Sequence, residues 1–101
     1  MQVKDKKNIA VIGSGFSGVS AACILSKAGH EVSIFEKNSQ VGGRAGVLKT
    51  NGYVFDMGPS WYWMPEVFEH FFSLFDKKVE DYYQLTRLDP GFVLCFGKDA
   101  T

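Results

Sequence analysis

The chain has little of what marks exported, metal-bound or nucleic-acid-binding proteins. Its two cysteines, Cys23 and Cys95, lie far apart and form no Cys-x-x-Cys pair, so no metal site and no disulfide framework is indicated, and a reducing cytoplasm is the expected compartment. No apolar run approaches the ~20 residues of a spanning helix. The opening MQVKDKKNIAVIG lacks the apolar stretch and small-residue cleavage site of a signal peptide. The expectation is a protein neither exported nor membrane-spanning, with peripheral contact at the cytoplasmic membrane still compatible. Eleven basic residues face eleven acidic ones with no long block of one sign, which argues against a nucleic-acid partner held by bulk electrostatics. There is no internal repeat, low-complexity tract or linker.

What is present is a globular composition, 46% hydrophobic over 101 residues. A domain of that length buries only between ~60% and ~70% of its unfolded surface, so it folds with little margin.

The local patterning is α/β. Asn8 to Ile12 is a short apolar run ending at Gly13, the pattern of a strand buried on both faces. Ser17 to Ala28 is a helix rich in small residues, closed by Gly29, and Glu31 to Phe35 is a second strand. Together they form a strand, helix, strand unit whose crossover is right-handed. VLKT and YVFD flank Asn51-Gly52, the signal for a hairpin with a type I′ turn. From Pro65 the spacing becomes helical, with Val67, Phe68, Phe71, Phe72, Leu74 and Phe75 on one face, acids in the first turn and Lys77 and Lys78 at the end. Leu85 to Leu88 and Phe92 to Phe96, joined by Asp89-Pro90-Gly91, suggest two further strands. Residues 97 to 101 resemble the start of another hairpin turn, and the sequence is expected to be part of a larger domain.

The chemistry concentrates in "AVIGSGFSGVSAACILSKAGHEVSIFEK", residues 10 to 37. Gly13 permits a tight turn out of the strand, Gly15 lets backbone approach a pyrophosphate, and Gly18 allows close helix packing. The helix start offers backbone N–H groups and a partial positive charge to phosphates. Glycines alone are weak evidence, but here they stand between a strand and a helix, the context such a turn requires. Glu36, at the end of the second strand, is placed to accept hydrogen bonds from both ribose hydroxyls of an adenosine, which disfavours a 2′-phosphate there. NAD and FAD share the adenosine diphosphate, so Glu36 does not separate them. Gly42-Gly43-Arg44 adds a second glycine turn to return against the pyrophosphate and a guanidinium to fork onto phosphate oxygens.

The run GSGFSG, then Glu36, then VGGRAG resembles the N-terminal signature of FAD-dependent oxidoreductases in the flavin amine oxidase and carotenoid desaturase superfamily. A narrower resemblance lies in "GYVFDMGPSWYWMPEVFEHFF", residues 52 to 72, which with "DYYQLTRLDPGF" is similar to the bacterial phytoene desaturase family. The resemblance implies the first portion of a Rossmann-like FAD-binding domain spanning residues 1–101, with the substrate domain and the later return to the nucleotide fold absent. It implies FAD as cofactor, held by Gly13, Gly15, Phe16, Ser17, Gly18, Glu36, Lys37, Gly42, Gly43 and Arg44, with Gly58 and Pro59 passing near the flavin. It further implies a hydrophobic polyene such as phytoene as substrate, desaturated at C–C bonds by the complete enzyme, with the electron acceptor unspecified and the fragment alone inactive.

Several residues have plainer readings. Gly58, lacking a side chain, would let backbone reach a flat ring, and Asp56 is read as a turn cap. Trp61 and Trp63, with Tyr62 and Met64, suit a polyene or the flavin, yet an aromatic stripe is more often core. His30 and His70 read as surface residues. No nucleophile with a base and no metal cluster is apparent, so no catalytic residue is assigned, consistent with redox chemistry carried by a cofactor. A carotene isomerase, a flavin amine oxidase and a non-enzymatic nucleotide-binding module are the alternatives.

Overall fold

The computed structural model describes residues 2–97 and divides after Trp63 into two units. The expected turn at the C-terminal end falls, beyond Gly97, outside the described residues.

In the first unit, β1 (Asn8–Ile12) and β2 (Glu31–Phe35) pair in parallel, Asn8 opposite Glu31 and Ile12 opposite Phe35. The connection is α1 (Phe16–Lys27). Its C-terminus is closed by Gly29 at φ +107°, where a left-handed residue is needed. There Gly29 N–H donates to the Ser26 carbonyl at 3.0 Å and His30 N–H to the Leu25 carbonyl at 3.2 Å. His30 is more than a surface turn residue, because its Nδ1 accepts the Lys7 N–H at 3.2 Å and ties the helix exit to the approach into β1.

The small residues of α1 let it lie close to the strands, and Ala22 is buried there. Only one face of the sheet is covered, which corrects the reading of β1 as buried on both faces. With two strands and one helix, Ile12 is left 82% exposed and Phe35 57% exposed. A shallow hollow lined by Asn8, Ile9, Ala10, Glu31, Ser33 and Phe35 occupies the sheet.

After β2 the chain makes a one-turn 3₁₀ helix, Gly43–Ala45, then the antiparallel hairpin β3 (Val47–Thr50) and β4 (Tyr53–Asp56). Thr50 faces Tyr53 across the turn. Asn51 and Gly52 both have positive φ, 49° and 80°, as a type I′ turn requires.

In the second unit, α2 (Pro65–Ser73) begins with proline in its first turn, where a missing N–H costs nothing. It stops short of the lysines expected at its end, because Asp76 adopts φ +55°. Asp76 N–H then donates to the Ser73 carbonyl and Lys77 N–H to the Phe72 carbonyl, each at 3.1 Å, which closes the helix. A 3₁₀ turn, Val79–Asp81, follows. Val79 is buried, and Phe72, half-buried, packs on Tyr82 with ring centroids 5.2 Å apart, so the aromatic face of α2 is only partly covered within this unit.

Neither Leu85–Leu88 nor Phe92–Phe96 forms a strand. The second run is apolar at every position and needs cover on both faces, whereas Phe96 is 80% exposed. Pro90 has no N–H to give a ladder, and an isolated two-stranded ribbon is marginal.

Candidate functional site

The site is built at the ends of β1 and β2. Gly13 leaves β1 at φ +96° and donates its N–H to the Phe35 carbonyl at 2.8 Å, so the turn is pinned to the end of β2. Residues 13 and 36 are thereby held side by side. Gly18 lies in the first turn of α1, and a Cβ there would overlap the Gly13 carbonyl oxygen and meet Val11 Cγ1 at 3.5 Å. The expected close packing of helix on turn therefore requires glycine at 18.

The first helical hydrogen bond of α1 runs from Val19 N–H to the Gly15 carbonyl at 3.0 Å. The amides of Ser17 and Gly18, in the first turn, have no intrahelical acceptor. No side chain caps Gly15 and no acid occupies the first turn, so no residue of α1 itself offsets the partial positive charge of the helix start. Phe16 and Ser17 are exposed.

The second glycine turn returns against the first. Gly42 N–H donates to the Ser14 carbonyl at 2.9 Å, with Gly42 at φ +114° and Gly43 at φ +61°. A Cβ on Gly43 would come within 3.0 Å of Gly15 Cα, so the two turns touch backbone to backbone. Arg44 follows within the 3₁₀ turn and is exposed. This turn is braced by Gln40, whose side chain accepts the Val47 N–H at 2.8 Å and donates to the Val47 carbonyl at 2.9 Å.

Glu36 is the electrostatic centre. Its Oε2 accepts both the Ser14 N–H at 2.9 Å and the Ser14 hydroxyl, and its Oε1 accepts the Asn38 N–H at 3.0 Å. These donors, the Ser14 hydroxyl first, lower the carboxyl pKa from its ordinary 4.5 to about 2, with partial desolvation opposing. A carboxylate depressed in the folded state contributes stability that is complete above pH 4.5 and fades as pH falls towards 2. Titration of the Glu36 side-chain carbon by NMR is therefore expected to show a midpoint near 2, moving up towards 4.5 in Ser14→Ala. An unmoved midpoint would mean that the hydroxyl is not the main donor.

Two sequence readings change. The space beside Gly58 is not open to a ring, since a Cβ there would overlap the Arg44 carbonyl oxygen. Glycine at 58 instead lets the segment after β4 lie against the Arg44 turn, where Met57 N–H also donates to the Gly46 carbonyl at 2.9 Å. Trp61 and Trp63 are not core. They face each other with ring centroids 6.0 Å apart and are 48% and 66% exposed. Lys37 and Pro59 are exposed. The structure thus brings together Gly13, Gly15, Gly18, Glu36 and the Gly42–Arg44 turn, and adds Ser14, Asn38 and Gln40. Ser14 was visible only as a residue between two glycines; its small polar side chain carried no separate periodicity or spacing signal.

Chemically, the arrangement offers backbone donors at a helix start, two turns stripped of side chains at their contact, an ionised carboxylate and an exposed guanidinium. That set suits a diphosphate joined to a ribose.

Comparison with known proteins agrees with this chemistry. Residues 11–77 match the profile of the NAD(P)-binding Rossmann-like domain. The chain is 54% identical over 90 residues to a carotenoid 3,4-desaturase of Haloarcula japonica, covering 89% of this chain and 18% of the relative. It is 46% identical over 91 residues to a 4,4'-diapophytoene desaturase (4,4'-diaponeurosporene-forming) of Staphylococcus aureus strain RF122, covering 90% of this chain and 18% of the relative. The protein of the same description from strain Newman is 50% identical over the same length and coverage. The chain thus spans about 18% of the length of these curated relatives. The expected resemblance to carotenoid desaturases is borne out, and so is the Rossmann-like α/β class.

Proposed function

From the premise that the chain belongs to the NAD(P)-binding Rossmann-like domain family, a dinucleotide-binding fold, we propose that it is the FAD-binding portion of a carotenoid desaturase. The observation that carries the reading is the contact of the two glycine turns beside Glu36, with Gly43 against Gly15 and Gly42 bonded to Ser14. Two turns that meet backbone to backbone, with no side chain between them, suit a pyrophosphate running over bare backbone. The Gly42–Arg44 turn is what favours FAD over NAD, and an ionised Glu36 disfavours a 2′-phosphate.

In this reading residues 1–101 are the first part of a larger nucleotide-binding domain, supported by the 18% coverage of the relatives and by the open sheet face. Gly13, Gly15, Ser17 and Gly18 present backbone to the phosphates, with Phe16 and Lys37 at the borders of the site. Glu36 holds the adenosine ribose, and Arg44 neutralises phosphate charge. Gly58 and Pro59 act by seating the Arg44 turn. FAD, when bound, would supply the redox chemistry, as acceptor of the two electrons that leave with two protons when a CH–CH single bond becomes double. The substrate class is a hydrophobic polyene, for which exposed Trp61 and Trp63 offer apolar surface. Among the described residues no helix is long and apolar enough to cross a membrane; peripheral contact with the cytoplasmic membrane belongs to this proposal, as does the cytoplasmic location.

Two tests address it. Anaerobic mixing of the complete gene product with polyene precursors that keep CH–CH single bonds to oxidise is expected to bleach its flavin absorbance, whereas bleaching by amines with inert polyenes would replace the desaturase by an amine oxidase. Arg44→Ala is expected to weaken FAD binding about tenfold at low salt, with the loss shrinking as ionic strength rises. A salt-independent loss would identify packing as the role of Arg44.

The module alternative is disfavoured by the core. Ala22 in the first unit and Val79 in the second are the buried hydrophobic residues among those described, which is little to hold an independent domain.

A further inference from the structure

We propose that Ser14 is a positioning residue for dinucleotide selection, fixing the Glu36 carboxylate in place through Oε2. The inference rests on the dinucleotide reading above and concerns how the same site chooses its ligand.

Ser14 is 2% exposed and is the buried polar residue of the described chain. All its polar groups are spent on two segments: the amide and hydroxyl donate to Glu36 Oε2, and the carbonyl accepts the Gly42 N–H. Ser14 places two donors on Oε2, the Asn38 N–H donates to Oε1, and the Lys37 amide adds a lesser backbone donor, so Ser14 supplies the larger part of the hold on Glu36.

The clamp also bears on a 2′-phosphate. Such a group brings negative charge and no donor to a carboxylate that is already ionised. A free Glu36 side chain would rotate away to relieve the repulsion. Held at Oε2 by two donors, it stays in place and keeps the phosphate out. Selectivity thus depends on the Ser14 hydroxyl as well as on the acid.

The test is a double-mutant cycle on the complete gene product stripped of cofactor, using Ser14→Ala, Glu36→Gln and the double variant. FAD affinity is measured, together with that for ADP-ribose and its 2′-phosphorylated form. Ser14→Ala is expected to weaken FAD about five- to tenfold and to narrow the preference for ADP-ribose over the 2′-phosphate. In the Glu36→Gln background the same change should cost less than about twofold. Equal losses in both backgrounds, or an unchanged 2′-phosphate preference, would overturn the proposal and leave Ser14 as loop packing. Should the alanine variant fail to fold by far-UV circular dichroism, Ser14→Cys, nearly isosteric and a weak donor, carries the same cycle. A wild-type protein that binds neither FAD nor ADP-ribose would sink the dinucleotide reading itself, and this proposal with it.

Discussion

Gly18→Ala is expected to yield a protein that no longer retains its dinucleotide and has lost ~1–3 kcal/mol of stability, the usual cost of overpacking. The added Cβ overlaps the Gly13 carbonyl oxygen, and neither group is the flexible end of a side chain. Relief requires α1 to move away from the turn at the end of β1. That movement carries off the first-turn amides, and it disturbs Gly13, whose N–H is bonded to Phe35. Cofactor content after gel filtration, with the thermal midpoint, reads both effects. A variant as fully loaded and as stable as wild type would mean that helix and turn are not in the contact described.

The second large effect is expected at Glu36→Ala, with FAD binding weakened at least about tenfold at neutral pH. Two losses combine. The ribose loses its acceptor, and Ser14, 2% exposed, loses the partner of its hydroxyl and amide. Such unpaired buried groups are costly beyond the interaction with the ligand. Glu36→Gln retains an acceptor oxygen and should fall between wild type and alanine. Unlike the loss at Arg44, much of this one should persist at high salt, because hydrogen bonds within the protein are screened less than exposed charges. Fluorescence titration of the apoprotein with FAD measures it, and an unchanged affinity would remove Glu36 from the site.

The strand, helix, strand unit was legible because each boundary had a local chemical cause. Gly13 and Gly29 sit at positive φ where the chain turns, and Asn51-Gly52 specifies its hairpin through the same preference. The site was legible in outline for a related reason: glycine spacing reports where backbone must come close, as at Gly18 against Gly13. What was not legible depended on partners distant in sequence. That the bare side of Gly58 meets the Arg44 carbonyl, and that Ser14 meets Glu36, are tertiary facts with no periodic trace. The runs 85–88 and 92–96 failed as strands because hydrophobicity states a need for cover without stating that cover is at hand. Helix α2 ended early for a local reason, the left-handed Asp76, which an aspartate adopts more readily than most residues but does not announce.

The central claim is that two glycine turns and Glu36 hold the adenosine diphosphate of FAD. It is tested most directly by purifying the complete gene product from its source cells, recording its visible spectrum and identifying the nucleotide released on denaturation. A flavin spectrum with release of FAD is the predicted result; a colourless protein, or one releasing NAD or NADP in its place, would contradict the account.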